Sequence, residues 1–130
     1  MNRQLAYLPS ALRRRFGTEG QGRVVNEAWE CARRCFDCAG ACWQSLAQLL
    51  DNEEPLPDRL LVIIDCAELC EIAAHSLMRG SPEAPRLAAL TGELCALTAR
   101  VAEGEPALAG CVEAALRCAR SCKSFGEKAA

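Results

Sequence analysis

Apolar and small side chains return at every third or fourth position over most of this chain, with charged residues between them, which is the period of amphipathic α-helices. The pattern is sharpest in CARRCFDCAGAC, from Cys31 to Cys42, where cysteines stand at i, i+4, i+7 and i+11. At about 100° per residue these positions fall within an arc of roughly 60°, so Cys31, Cys35, Cys38 and Cys42 share one helix face. The same frame returns at Cys111, Ala115, Cys118 and Cys122, at Cys66, Cys70, Ala73 and Leu77, and at Thr91, Cys95, Thr98 and Ala102. The repeat predicts amphipathic helices that share one thiol-lined seam.

Breakers set the boundaries. A first helix is expected from about Arg23 to Leu50, ending before Asp51, Asn52 and the turn from Pro55 to Pro57. A second starts near Pro57 or Asp58, where proline suits a first turn, and ends at Gly80. Ser81, Pro82 and Glu83 offer a cap, a first turn and an acidic N-terminus to a third helix, which runs to about Glu103. Gly104 and Pro106 separate it from a fourth, from about Ala107 to Phe125.

All the connections are short, so the expected fold class is all-α: an antiparallel up-down-up-down four-helix bundle with a cysteine-lined core over residues 23–127. Residues 1–22 read as an N-terminal arm or short helix, since the helical spacing of Leu5, Leu8 and Leu12 is broken by Pro9 and by the glycines from Gly17 to Gly22. Arg13, Arg14 and Arg15 there are read as a solvated helix end.

That topology tests whether the thiols meet. Levels counted along each antiparallel helix, at a rise of roughly 1.5 Å per residue, put all ten cysteines in one band about 18 Å tall. Val25, Trp29, Phe36 and Trp43 form a second apolar stripe on the first helix, roughly 120° to 160° from the thiols. It needs cover of its own, from the N-terminal arm or a neighbouring subunit.

Composition narrows the function. The 130 residues suit a single domain that buries a core without disulfides. A net charge of −2 gives no electrostatic reason to expect a nucleic acid, and no stretch approaches the length of a membrane span. The apolar run after Met1 is short, is interrupted by Pro9 and leads into arginines rather than a cleavage site, so a cytoplasmic location is expected. In that reducing compartment, ten cysteines point to metal binding or redox chemistry rather than to a disulfide framework.

Thiols at i, i+3 or i+4 have Cβ atoms about 5 to 6 Å apart, so one helix can give two sulfurs to one ion. Soft thiolates without histidine or carboxylate select Cu(I), zinc or iron–sulfur clusters. Zinc and iron–sulfur sites want four ligands each, whereas Cu(I) is satisfied by fewer, which suits many thiols strung along a seam. Charge agrees, since about one Cu(I) per thiolate leaves the core near neutral. Cu(I) is therefore preferred, with zinc as the weaker possibility.

The alternatives from other classes are a thiol redox protein, a discrete zinc or iron–sulfur site, and a scaffold bundle with inert cysteines. Redox work would need pairs between helices, because i, i+4 thiols on one helix are poorly aimed for a disulfide. Cys35 and Cys38 have CxxC spacing, but in mid-helix, away from the N-terminal dipole that lowers a thiol pKa. Asp65 and Glu27 form no paired acid and base, so an enzyme is not expected. Asp65 reads as a solvated face residue and Glu27 as a candidate for the bundle rim.

The runs CARRCFDCAGAC and DCAELC, with CVEAALRCARSC near the end, resemble the cytosolic copper storage proteins over about residues 24–125. The resemblance implies a cysteine-rich four-helix bundle that holds many Cu(I) ions inside it. Position by position it implicates Cys31, Cys35, Cys38, Cys42, Cys66, Cys70, Cys95, Cys111, Cys118 and Cys122 as metal ligands. It also implies a homo-oligomer, tetramer or dimer, loaded by a copper chaperone or a small-molecule copper carrier. Leu60, Thr91, Thr98, Ala102 and Ala115 stand where cysteine-rich relatives tend to carry thiols, which bears on capacity. Members of the family mark the bundle mouth with histidine or methionine, which draws attention to His75 and Met78, but His75 lies about 180° from Cys66 and reads as a surface residue.

Overall fold

The computed structural model describes residues 22–50 and 57–129, with the side chains of the first helix from Glu27 onward. The expected arm at residues 1–22, apart from the backbone of Gly22, and the side chain of Val25 lie outside the described residues. Four α-helices account for most of the rest: α1, Gly22–Ala47; α2, Asp58–Arg79; α3, Ala84–Ala102; and α4, Ala109–Ala129. A 3₁₀ turn, Pro106–Leu108, leads into α4. Each helix packs on its neighbours in the chain and α4 closes back on α1, while the diagonal pairs meet only weakly. This is the antiparallel four-helix bundle that the hydrophobic period predicts.

Helix ends follow local chemistry. α1 stops at Ala47 rather than Leu50, because its chain tightens into three-residue steps, with Gln48 N–H donating to the Ser45 carbonyl at 3.3 Å and Leu49 N–H to that of Leu46 at 2.9 Å. α4 instead continues past Phe125 to Ala129. Gly126 costs it about 1 kcal/mol relative to alanine, too little to end a helix whose other face is packed.

Gly80 closes α2 in the left-handed conformation (φ 67°), with its N–H on Leu77 O at 3.2 Å and Ser81 N–H on Ser76 O at 3.1 Å. The Ser81 hydroxyl accepts from Glu83 N–H at 3.2 Å. It therefore caps the turn before α3, and Glu83 is the residue at the helix boundary.

The core is made of small side chains. Ala32, Ala39, Ala67, Ala73, Ala88 and Ala115 are buried between the cysteines, so no bulky group separates neighbouring helices in the thiol band. Contact is tightest between α3 and α4, where a Cβ on Gly92 would stand 3.1 Å from the Cys122 Cβ. Leu77, 1% exposed, is buried near the α2 C-terminus, and the other large aliphatic residues collect at the end that carries the α1 C-terminus and the α4 N-terminus. Leu46, Leu60, Ile63 and Leu108 there are 0–1% exposed and form an apolar layer across the bundle.

The aromatic stripe of α1 finds a cover that the sequence reading did not name. Trp29, Phe36 and Trp43 are half-buried against the core. Phe36 meets the His75 ring edge-on at 5.5 Å between centroids, and Trp43 Nε1 donates to Glu71 Oε1 at 3.1 Å. Part of the stripe is thus occupied by α2 of the same chain.

The apolar layer should be where the metal-free bundle is most sensitive. Leu108→Ala is expected to destabilise the reduced protein by about 2–5 kcal/mol, and Leu116→Ala, at a 43% exposed position, by no more than about 0.5 kcal/mol. Denaturant unfolding measures both, and equal effects would mean that Leu108 does not close the core.

Candidate metal centre

All ten cysteines are free thiols, each 0–1% exposed. α1 brings Cys31, Cys35, Cys38 and Cys42, α2 brings Cys66 and Cys70, α3 brings Cys95, and α4 brings Cys111, Cys118 and Cys122. The frame that repeats in the sequence is the inward face of every helix. Its slots without cysteine, Ala73, Leu77, Thr91, Thr98, Ala102 and Ala115, are buried in the same interior.

The sulfurs form a ladder. At the end nearest the α1 N-terminus, Cys122 Sγ lies 3.7 Å from both Cys31 and Cys35. Cys118 follows, 3.7 Å from Cys35 and 3.8 Å from Cys122. In the middle Cys95 is central, 3.9 Å from Cys38, 3.6 Å from Cys70 and 3.7 Å from Cys66. Cys42 continues it, 4.0 Å from Cys38 and 3.1 Å from Cys111, which lies next to the apolar layer.

Three groups have sulfurs mutually within 4.8 Å: Cys38, Cys70, Cys95 and Cys118; Cys31, Cys35 and Cys122; and Cys38, Cys42 and Cys66. The first joins the upper rungs to the lower ones. Every sulfur therefore has another within metal-bridging distance.

Packed this closely and out of water, the thiols divide into proton donors and acceptors. Cys31 donates to Cys122, and losing that bond on ionisation, together with burial, pushes it up to about 12. The contact with Cys111 pushes Cys42 up, and contacts led by Cys118 do the same to Cys35, Cys70 and Cys95. Cys38 is held well below the ordinary thiol range by the surrounding thiols of Cys118, Cys42, Cys66 and Cys70. The Cys122 and Cys35 thiols bring Cys118 down to about 2. Cys38 pushes Cys66 up, but Cys42, Cys70 and Cys95 outweigh it and bring Cys66 to about 4. The packed thiols thus differ in how readily each gives up its proton.

Other polar groups mark the edges of the array. Thr91 satisfies itself by donating to the Leu87 carbonyl at 2.7 Å, whereas Thr98 Oγ1 and Ser76 Oγ are buried without a partner. Thr98 lies one turn from Cys95 on α3, so its hydroxyl is a spare donor inside the thiol band. His75 is exposed and turned to Phe36, as its angle from Cys66 predicts. Asp65 is exposed too.

At the end opposite the apolar layer, Glu27 and Lys128 pair at 3.4 Å across the α1 and α4 termini. Met78 and Phe125 there are 8% and 9% exposed. Leu77 beside them is 1% exposed, but Met78 and Phe125 leave this end closed less completely than the one sealed by Leu46, Leu60, Ile63 and Leu108. Sequence reading missed that layer, although Leu46 continues the face of Cys42 one turn on and Leu108 precedes Cys111 by three residues.

A model of one protein family, described as copper storage protein, matches residues 17–127. The chain belongs to the copper storage protein family. No curated protein matches it. In this copper storage protein ten cysteines cluster in the buried core, nine of them in groups that could hold metal ions. Among the described residues no helix is long and apolar enough to cross a membrane.

The raised thiols fix the sign of an alkaline effect. Below the ordinary value of 9.0 they are protonated in both the folded and the unfolded chain, and their contribution to stability is complete. Above it the unfolded chain ionises while the fold resists, so that contribution is lost as the pH climbs toward about 12. The lowered thiols do not oppose this, being ionised in both states over the same range. The unfolding temperature of the metal-free, reduced protein is expected to fall steadily across that window. A constant midpoint would mean that the thiols ionise freely inside the fold.

Proposed function

We propose that this copper storage protein binds and stores several Cu(I) ions through the thiolates of Cys31, Cys35, Cys38, Cys42, Cys66, Cys70, Cys95, Cys111, Cys118 and Cys122. The observation that carries the reading is the unbroken ladder of sulfurs, with steps of 3.1–4.0 Å within each half and no imidazole or carboxylate in any of the groups. A soft monovalent ion content with two or three sulfurs can occupy such a ladder at many positions, and each one replaces the proton of a thiol. Ions of this charge bring the buried array toward neutrality. The Thr98 hydroxyl is available to donate to a metal-bound thiolate.

Copper is taken up at the end where Cys31, Cys122 and the Met78 thioether lie, since the other end is filled by leucine and isoleucine. It moves inward by exchange between neighbouring thiolates. The role is non-enzymatic and cytoplasmic, and a copper chaperone or a small-molecule copper carrier delivers the ion. A homo-oligomer, dimer or tetramer, is supported by large apolar side chains left at the surface, with Ile72 and Leu90 each 52% exposed.

The test is an anaerobic titration of the fully reduced protein with Cu(I) against a chromogenic chelator, counting thiols and metal on one sample. Uptake approaching one copper per thiol is expected, weakening as the pH falls because each ion competes with protons. Cys35→Ala combined with Cys38→Ala should lower capacity by about one copper for each thiol removed. Saturation at one or two ions, or capacity unchanged by that double substitution, ends the storage reading.

A further inference from the structure

Among the three sulfur groups, one differs in kind. Cys38, Cys70, Cys95 and Cys118 come from α1, α2, α3 and α4 respectively, one sulfur from each helix, and all four lie mutually within 4.8 Å. The two triads each take two sulfurs from α1 and offer no fourth. Cu(I) does not require this distinction. A divalent ion of the zinc class does, because it wants four ligands at once in a tetrahedron.

The edges fit. Four sulfurs about 2.3 Å from a central ion are separated from one another by about 3.8 Å. Cys38 to Cys95 is 3.9 Å and Cys70 to Cys95 is 3.6 Å. Edges within 4.8 Å leave space for a single ion among the sulfurs and none for an iron–sulfur cube. All four cysteines are 0% exposed, and an all-sulfur donor set rejects magnesium and calcium.

We propose that Cys38, Cys70, Cys95 and Cys118 form a tetrahedral site for one divalent, thiophilic ion of the zinc class, which ties the four helices together while the bundle is empty of copper. The four sulfurs bind one dication as thiolates, those that still hold protons releasing them to solvent, and the site carries a buried charge of −2. Cys42 lies 4.0 Å from Cys38. Kept protonated, it can donate an S–H bond to that ligating sulfur and spread that charge. Copper loading then displaces the dication, since Cu(I) claims the same sulfurs two or three at a time. The inference rests on the copper reading only in needing thiols that metal can reach; its support is the closed fourfold arrangement.

Cobalt(II) is the probe, because its visible absorption reports ligand geometry. The reduced full-length chain is titrated anaerobically with Co(II), and with Cu(I) in parallel. One Co(II) per chain is expected, with the intense red-region bands of a tetrahedral all-thiolate ion and sulfur-to-cobalt charge transfer in the near ultraviolet. Cys95→Ser should abolish or strongly weaken that spectrum, and Cys70→Ser supplies a second case if the first variant loses helicity. One equivalent of zinc should raise the unfolding temperature of the parent chain and not that of either folded variant.

Weak bands of six-coordinate cobalt, no uptake at one equivalent, or an undiminished spectrum in both variants overturns the site. Full copper capacity beside absent cobalt binding would remove this proposal and leave storage standing. A tetrahedral cobalt spectrum with copper saturating at one or two ions would do the reverse.

Discussion

Ten sulfur atoms occupy a volume from which water is excluded, and the rest of the molecule is arranged around what that does to charge. A thiolate alone in such a place costs several kcal/mol. Here the cost is met locally, because neighbouring thiols can donate S–H bonds to a sulfur that ionises. This works only while the sulfurs touch, and they touch only because the side chains between them are alanine. A leucine in the place of Ala73 or Ala115 would hold the helices apart and break the ladder. The alanine-rich interior is therefore part of the metal chemistry as well as of the packing.

The same constraint explains where bulk goes. Aromatic and large aliphatic side chains, excluded from the thiol band, are pushed to its borders. Phe36 and Trp43 lie along the flank of α1 against α2, and most of the fully buried leucines gather past Cys42 and Cys111. Stability without metal must come from these margins, since cysteine and alanine bury little apolar area per residue. The bundle thus separates its tasks along its length, with a soft polarisable middle and apolar packing at the rim and one end.

Much of this was legible in the sequence. The i, i+4, i+7, i+11 frame located the inward face of each helix without any structure, and counting levels from the turns placed the sulfurs in one band. The frame is legible because helical period is a local property and the loops are short. Pairwise partners were not legible, because they depend on how far each helix is rotated and shifted against its neighbours. Nothing in one dimension says that Cys95, the lone cysteine of α3, lies beside Cys38, Cys66 and Cys70. The ends of α1 and α4 also escaped, being settled by a tightened last turn and by the small cost of Gly126.

On the uptake route proposed above, the apolar layer of Leu46, Leu60, Ile63 and Leu108 makes the array a vessel filled from one end. Cargo that moves by handing over from one sulfur to the next has one file in which to travel. The ion lodged beside Cys111 is then the first to have arrived and the last able to leave. Such a container keeps the order of its own filling, and its rate of release depends on how full it is.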